Sequence, residues 1–508
     1  MAAKSVGVTE TERLLAEFCE RTFLKLWAYP NPFKDDGHEL CDLLAVFGDE
    51  VFVFFDREKQ LPESSDKDQQ ILWDRWKRNV IDRQVKTAHG AERYIRSARS
   101  IFVDNKCSEP LPIPFNLERV TVHKIIIAHG ARDACKSDSP SNVYGSLAVT
   151  YSNNAGDPTV PFHLVLDKLN PVHVLDSHNM PIVLSELDTV ADFSRYLKEK
   201  VRAISRYDLL SYCGEEDLLA HYLWNFDSKA NAYIIGTNDD TINSVHIGEG
   251  EWSTFITTDT YRDTKNADKI SYFWDDLIQR TCQNSLDGTL GGNSNISQGQ
   301  SAIFEMVKEP RFVRRALSER MLKTVERFPD HKGKLTRQVT FLPSFYDQTG
   351  YVLLQLRVSD ELRNEPDFRE KRLFLLEIAC AAAKSKFPDL KKVLGIGIEN
   401  PKFTQENTGE DFILMPCEDW PDEMKQHYEE LNQEWQFFAT TQLEQFNEHV
   451  TAFVTVDRHK SAATAPDRKP GRNKPCLWAT PRTCSFLAGL EMLMDFGGCP
   501  VYPATIVT

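Results

Sequence analysis

Acidic side chains bracket both ends of GHELCDLLAVFGDEVFVFFDREK, residues Gly37–Lys59. Glu39 and Asp42 precede a first apolar run, Asp56 and Glu58 follow a second, and Lys59 closes the stretch. Carboxylates brought together from two strands can hold Mg²⁺, which activates water and offsets the charge that grows at phosphorus as a phosphodiester breaks. A lysine beside them can orient the water or steady the transition state. Between Ile71 and Ser100 the chain then places eight Lys/Arg against three Asp/Glu. Lys77, Arg78, Arg83 and Lys86 within that stretch are candidates for contact with a phosphate backbone. A charged helical face is more commonly a solvated surface, and Trp73, Trp76 and Tyr94 beside it read as core anchors.

These groups need a frame to position them. Leu43–Phe47 and Val51–Phe55 read as two strands around a turn at Gly48, Asp49 and Glu50. Thr9–Trp27 carries apolar residues at helical spacing, and Pro30 and Pro32 end that pattern. WDRWKRNVIDRQVKTAHGAERYIRSARS predicts a long helix or helix pair with a possible break at Gly90. Beyond Pro110 the text turns to strands (VTVHKIIIAHG, GSLAVTYS, PFHLVLD, VHVLDS and PIVL), followed by the helical patterns SELDTVADFSRYLKEKVRAI and GEEDLLAHYLWNF. The acids that open the second of these suit a helix N-terminus. QVTFLPS, YVLLQLRV, FREKRLFLLEIACAAAKSKF and KKVLGIGIEN predict strand, strand, helix, strand, enough for one compact unit.

The fold class expected is α/β, and a chain of 508 residues with 41% hydrophobic content can bury several cores. We divide it into residues 1–108, a mixed region 109–335, an α/β unit 336–455 and a Pro- and Lys-rich tail 456–508 that reads as linker. The formal charge of -15 argues against a surface basic all over, so any nucleic-acid contact must be local. Eleven cysteines without a CxxC pair fit a reducing compartment. The N-terminus lacks the plan of a signal peptide, and no apolar run nears the roughly 20 residues of a membrane span. The expected location is the cytoplasm, with no membrane partner.

The order acid, strand, turn, strand, charged triplet resembles the restriction-endonuclease-like superfamily, whose signature is a PD-(D/E)xK core. Gly37, Glu39 and Asp42 match its front half. Phe55 stands where the second acid is expected, and Arg57 where the lysine is expected. A phenyl ring cannot bind Mg²⁺, and arginine stays protonated. Asp56 or Glu58 could stand in for the acid and Lys59 for the lysine, although strand alternation sends Phe55 and Asp56 to opposite faces. The resemblance implies a metal-binding role for Asp42 assisted by Glu39. It also gives Gln84 a place, because some nucleases of the superfamily carry a glutamine on the following helix. The strings WAYPN, GHELCD, WDRW, GAER, GEEDLLAHYL and SYFWDDLI are similar to a widespread bacterial protein group that shares this order, over most of residues 1–455. The tail stretch GRNKPC resembles the start of a SEC-C zinc motif, which then breaks off at LWATPRTC; no zinc is expected there.

Other chemistry lacks its motif. GTLGGNSNISQGQ has no GK[ST], LGIGIEN is an incomplete GxGxxG better read as a tight strand, and no HExxH or GxSxG is present. His123, His129, His163 and His173 read as packed or surface histidines. The function expected is nucleic-acid binding or processing of DNA or RNA, with Mg²⁺-dependent cleavage if Glu39, Asp42, Asp56 and Gln84 converge. The alternative is a non-enzymatic interaction protein that keeps a nuclease-like fold.

Overall fold

Strands rich in valine, isoleucine and phenylalanine that are buried on both faces read as continuous apolar runs, and two such runs build the centre of the first sheet. This computed structural model describes residues 10–62, 68–111, 118–138, 142, 144–153, 160–230, 232–286, 296–330, 335–404, 409–439, 445–453 and 501–507. Glu50–Glu58 and Thr121–His129 pair in parallel along their whole length. Leu43–Phe47 and then Ala28–Pro30 add on one side as antiparallel strands, and His173–Asp176 adds in parallel on the other. The hairpin turn is tight: Phe47 pairs with Glu50, and Gly48 adopts φ 61°, a left-handed conformation that glycine takes without a Cβ penalty.

Alternation along the central strand assigns the helices to the two faces of this sheet. Phe52 and Phe54 face Phe193 of the helix Val190–Arg206, at ring-centroid distances of 5.7 and 6.4 Å, and Phe23 joins them after the helix Glu10–Thr22. Lys124, register partner of Val53, points the other way and binds Glu92 of the helix Arg83–Arg96 at 2.5 Å. The sheet is thus a layer between the helix pair Glu10–Thr22 and Val190–Arg206 and the basic helical stretch.

That stretch starts at Gln69, where the Asp68 carboxylate caps the amide of Gln70 at 2.9 Å. It runs as an α-helix to Lys77, as a π-helical turn over Arg78–Asp82, and again as an α-helix over Arg83–Arg96. Gly90 does not break it. Trp73, Trp76 and Tyr94 are buried, as their apolar neighbours require.

The expected boundary at residue 108 falls inside the first sheet, because Thr121–His129 and His173–Asp176 complete it. A strand pair alone leaves its edge amides unpaired, so the hairpin recruits the later strands. A four-stranded sheet follows, ordered Ser244–Ile247, Leu209–Tyr212, Ala148–Ser152, His163–Asp167; PIVL, expected as a strand, lies instead in the helix Asn179–Glu186, where Met180, Val183 and Leu184 are buried. The last sheet holds Asp411–Pro416, Lys392–Glu399, Thr349–Val358 and Leu335–Pro343, extended by 501–507 and 445–451. The helix Phe368–Lys386 covers it with a hydrophobic cluster of its own. LGIGIEN lies in its strand Lys392–Glu399: a Cβ on Gly395 would come within 2.7 Å of Cys380 Sγ, so the glycine lets this helix approach. Apart from 501–507 the tail from 456 lies outside the described residues, and so does the GRNKPC stretch. The chain is an α/β protein, and among the described residues no helix is long and apolar enough to cross a membrane.

Candidate nucleic-acid interface

The hairpin acids are held apart by the backbone that carries them. Asp42 lies just before its strand and donates its amide to Phe54 O at 3.1 Å. Its carboxylate Oδ2 accepts the backbone N–H of Asp56 at 2.6 Å, which ties the start of one strand to the end of the other. Glu39 is exposed and accepts from Asn31 Nδ2 at 2.6 Å. Phe55 is 3% exposed, a core residue at the position where the superfamily pattern expects an acid. Arg57, Glu58 and Lys59 are exposed beyond it.

Asp56 belongs to the other face of the sheet, with Phe52 and Phe54. There its Oδ1 lies 3.0 Å from Nε2 of His129, with neither atom in line for a hydrogen bond, and His129 Nδ1 meets Ser177 Oγ at 3.0 Å. Gln84 is half-buried on the helix of the opposite face, and no hydrogen bond links it to Glu39, Asp42 or Asp56. The four side chains expected to converge are therefore divided between two faces and an exposed loop. Among the described residues no group of three or more His, Cys, Asp or Glu is spaced to hold a metal ion.

The basic helix is arranged differently. Arg75, Arg78, Arg83, Lys86 and Arg93 are all exposed, and none makes an ion pair among the described residues. Lys77 differs from them: it is half-buried and donates to Asp82 at 3.1 Å. In a regular α-helix the five-residue step from Arg78 to Arg83 would turn through about 140° beyond a full circle. The π-turn over Arg78–Asp82 absorbs one residue, so the step behaves like one of four and leaves them about 40° apart. With three- and seven-residue steps elsewhere, the five cations form one stripe opposite the buried face of Trp73, Trp76, Val80, Ala88, Ala91 and Ile95. The stripe is about 27 Å long at 1.5 Å per residue. Asp74 and Asp82 flank it, Asp74 accepting from Gln70 and Asp82 from Lys77.

A second polar group gathers around another strand end and a helix start. Asp176, at the carboxyl end of its strand, accepts the amides of Leu147, His178 and Asn179. Glu215, Glu216 and Asp217 open the helix Glu215–Trp224, as acids at an N-terminus should, yet all three are buried. Burial, with Asp176 adding to it, raises the Glu216 carboxyl to about 8, although Ser146 donates to it. Burial lifts Asp217 to about 6. The string GEED carried a helix-start signal but nothing to say that another element would cover it.

No family model, curated protein or solved structure matches the chain. The five exposed cations make no ion pair among the described residues, on a protein with 60 Lys/Arg against 75 Asp/Glu.

Proposed function

We propose that the chain binds a nucleic-acid backbone, DNA or RNA, along the stripe Arg75, Arg78, Arg83, Lys86 and Arg93, and that its nuclease-like hairpin serves as scaffold rather than as a metal-dependent catalytic site. The observation that carries the reading is the π-turn that brings the cations before and after it into one exposed row. A row of guanidinium and ammonium groups without carboxylate partners suits phosphates, whose neutralisation releases counterions and draws affinity from charge rather than from base identity. The scaffold half of the reading is supported by the donor set: Phe55 in the core, Asp42 bonded to the Asp56 amide, and Glu39 engaged with Asn31. The eight described cysteines are all free thiols, which agrees with a reducing compartment such as the cytoplasm.

The test is a salt titration of binding to duplex DNA, duplex RNA and single-stranded RNA. The change Arg78→Glu with Arg83→Glu and Lys86→Glu is expected to weaken binding about 10-fold or more and to lower the log–log salt slope by about one per lost contact. Asp42→Ala leaves the affinity and its salt slope unchanged in the folded protein. Affinity untouched by the triple reversal overturns the reading. Mg²⁺-dependent cleavage that Asp42→Ala abolishes would restore the catalytic alternative.

A further inference from the structure

A ligand-sized space lies away from the stripe, where the helix Val190–Arg206 meets the helices Asp259–Asp268 and Arg311–Arg327. The helix Val190–Arg206 covers the sheet face opposite the basic helix, so the two sites are structurally separate. The cavity measures about 580 Å³, within the range of small-molecule sites.

Its walls combine aromatic surface with paired charge. Phe453 packs against Tyr233 and Phe255 at 5.9 and 6.1 Å, and Phe255 against Tyr261 at 5.1 Å, forming a continuous aromatic lining. Five acids and five bases line the space, and four of the bases are already committed. Lys198 is held by Glu50, Arg202 by Glu199, Lys265 by Glu186, and Arg311 by Asp188 and Asp275. Arg195 is the exception. Its guanidinium lies 4.0 Å over the ring of Phe345 and beside the Tyr346 hydroxyl, and among the described residues no carboxylate comes within 4 Å of it.

We propose that this cavity binds a planar heteroaromatic molecule carrying a single anionic group, of the size of a nucleoside monophosphate, with its ring on the aromatic wall and its anion on Arg195. Planar rings stack on Tyr and Phe surfaces. An arginine seated on an aromatic face presents N–H groups at its edge to a carboxylate or phosphate. The other four bases are already held by carboxylates, so Arg195 is the lining base left to receive an anion.

Isothermal titration and thermal-shift measurements on the full chain test this, with AMP, GMP, CMP, UMP, adenosine and inorganic phosphate as probes. At least one mononucleotide is expected to bind saturably below about 1 mM, and adenosine and phosphate at least about 10-fold more weakly, the loss of one charge-assisted contact. Arg195→Ala removes the preference for mononucleotide over nucleoside, and Ala232→Trp, which fills the space, abolishes binding while melting like the parent. The triple reversal on the stripe leaves mononucleotide affinity unchanged, which separates this site from the backbone interface. The proposal falls if no mononucleotide binds, if adenosine binds as well as AMP, or if Ala232→Trp binds undiminished.

Discussion

Glu216 is a side chain whose chemistry departs far from its sequence context. Its carboxyl rises from an ordinary 4.5 to about 8, first because burial penalises the charge and then because Asp176 lies close. The folded protein therefore holds a proton that the unfolded chain releases above about 4.5, so this group favours folding at low pH and loses that contribution as pH rises to about 8. Between pH 5 and 8 the melting temperature of the parent should fall more steeply than that of Glu216→Gln, which cannot ionise. Parallel melting curves would dismiss the assignment. Asp56 shows the complementary lesson. Alternation correctly separated it from Phe55, but its neighbour His129 comes from a strand more than seventy residues later, and nothing local announces that meeting.

At the scale of the element, the basic helix joins two requirements in one device. Its buried face must run through Trp73, Trp76, Val80, Ala88 and Ile95, and its exposed face must align five cations. The π-turn serves both, because it absorbs one residue that in a regular α-helix would rotate everything after it by about 100°. Deleting Asn79 should close the turn into regular α-helix and keep Ala88, Ala91 and Ile95 on the sheet, whereas inserting an alanine after Thr87 should turn them about 100° off it and cost several kcal/mol, measured as a lower urea midpoint. A deletion as damaging as the insertion would show that the turn does not absorb a residue. Apolar spacing revealed a helix here and the excess of positive charge was countable. The bulge was invisible, since a π-turn has no composition of its own and arises from packing against the sheet.

Across the whole molecule, buried charge connects layers that the chain order leaves apart. Lys200, with no exposed side-chain surface, binds both oxygens of Glu215 at 2.7 and 2.6 Å, and Tyr196 donates to the same carboxylate at 2.7 Å. The ammonium also lies 5.7 and 5.1 Å from the rings of Tyr151 and Tyr212 in the four-stranded sheet. Lys200→Met leaves Glu215 uncompensated in the interior and should cost about 3–5 kcal/mol in denaturant unfolding. Adding Glu215→Gln should recover part of that loss, because no buried charge then lacks its partner. A single variant no less stable than the double would refute the coupling.

The amino-acid sequence by itself determined the α/β class, the hairpin with its turn, the long basic helix and the mismatch of Phe55 and Arg57 with a catalytic pattern. All of these follow from periodicity and residue chemistry over short distances. Only the tertiary structure decided that Thr121–His129 and His173–Asp176 complete the hairpin's sheet, that Asp42 and Asp56 serve different faces, and that Glu215, Glu216 and Asp217 are buried. It alone also assembled the aromatic cavity around Arg195. Burial, face and partner are properties of what packs against a residue, and here the packing partners lie tens to hundreds of residues away.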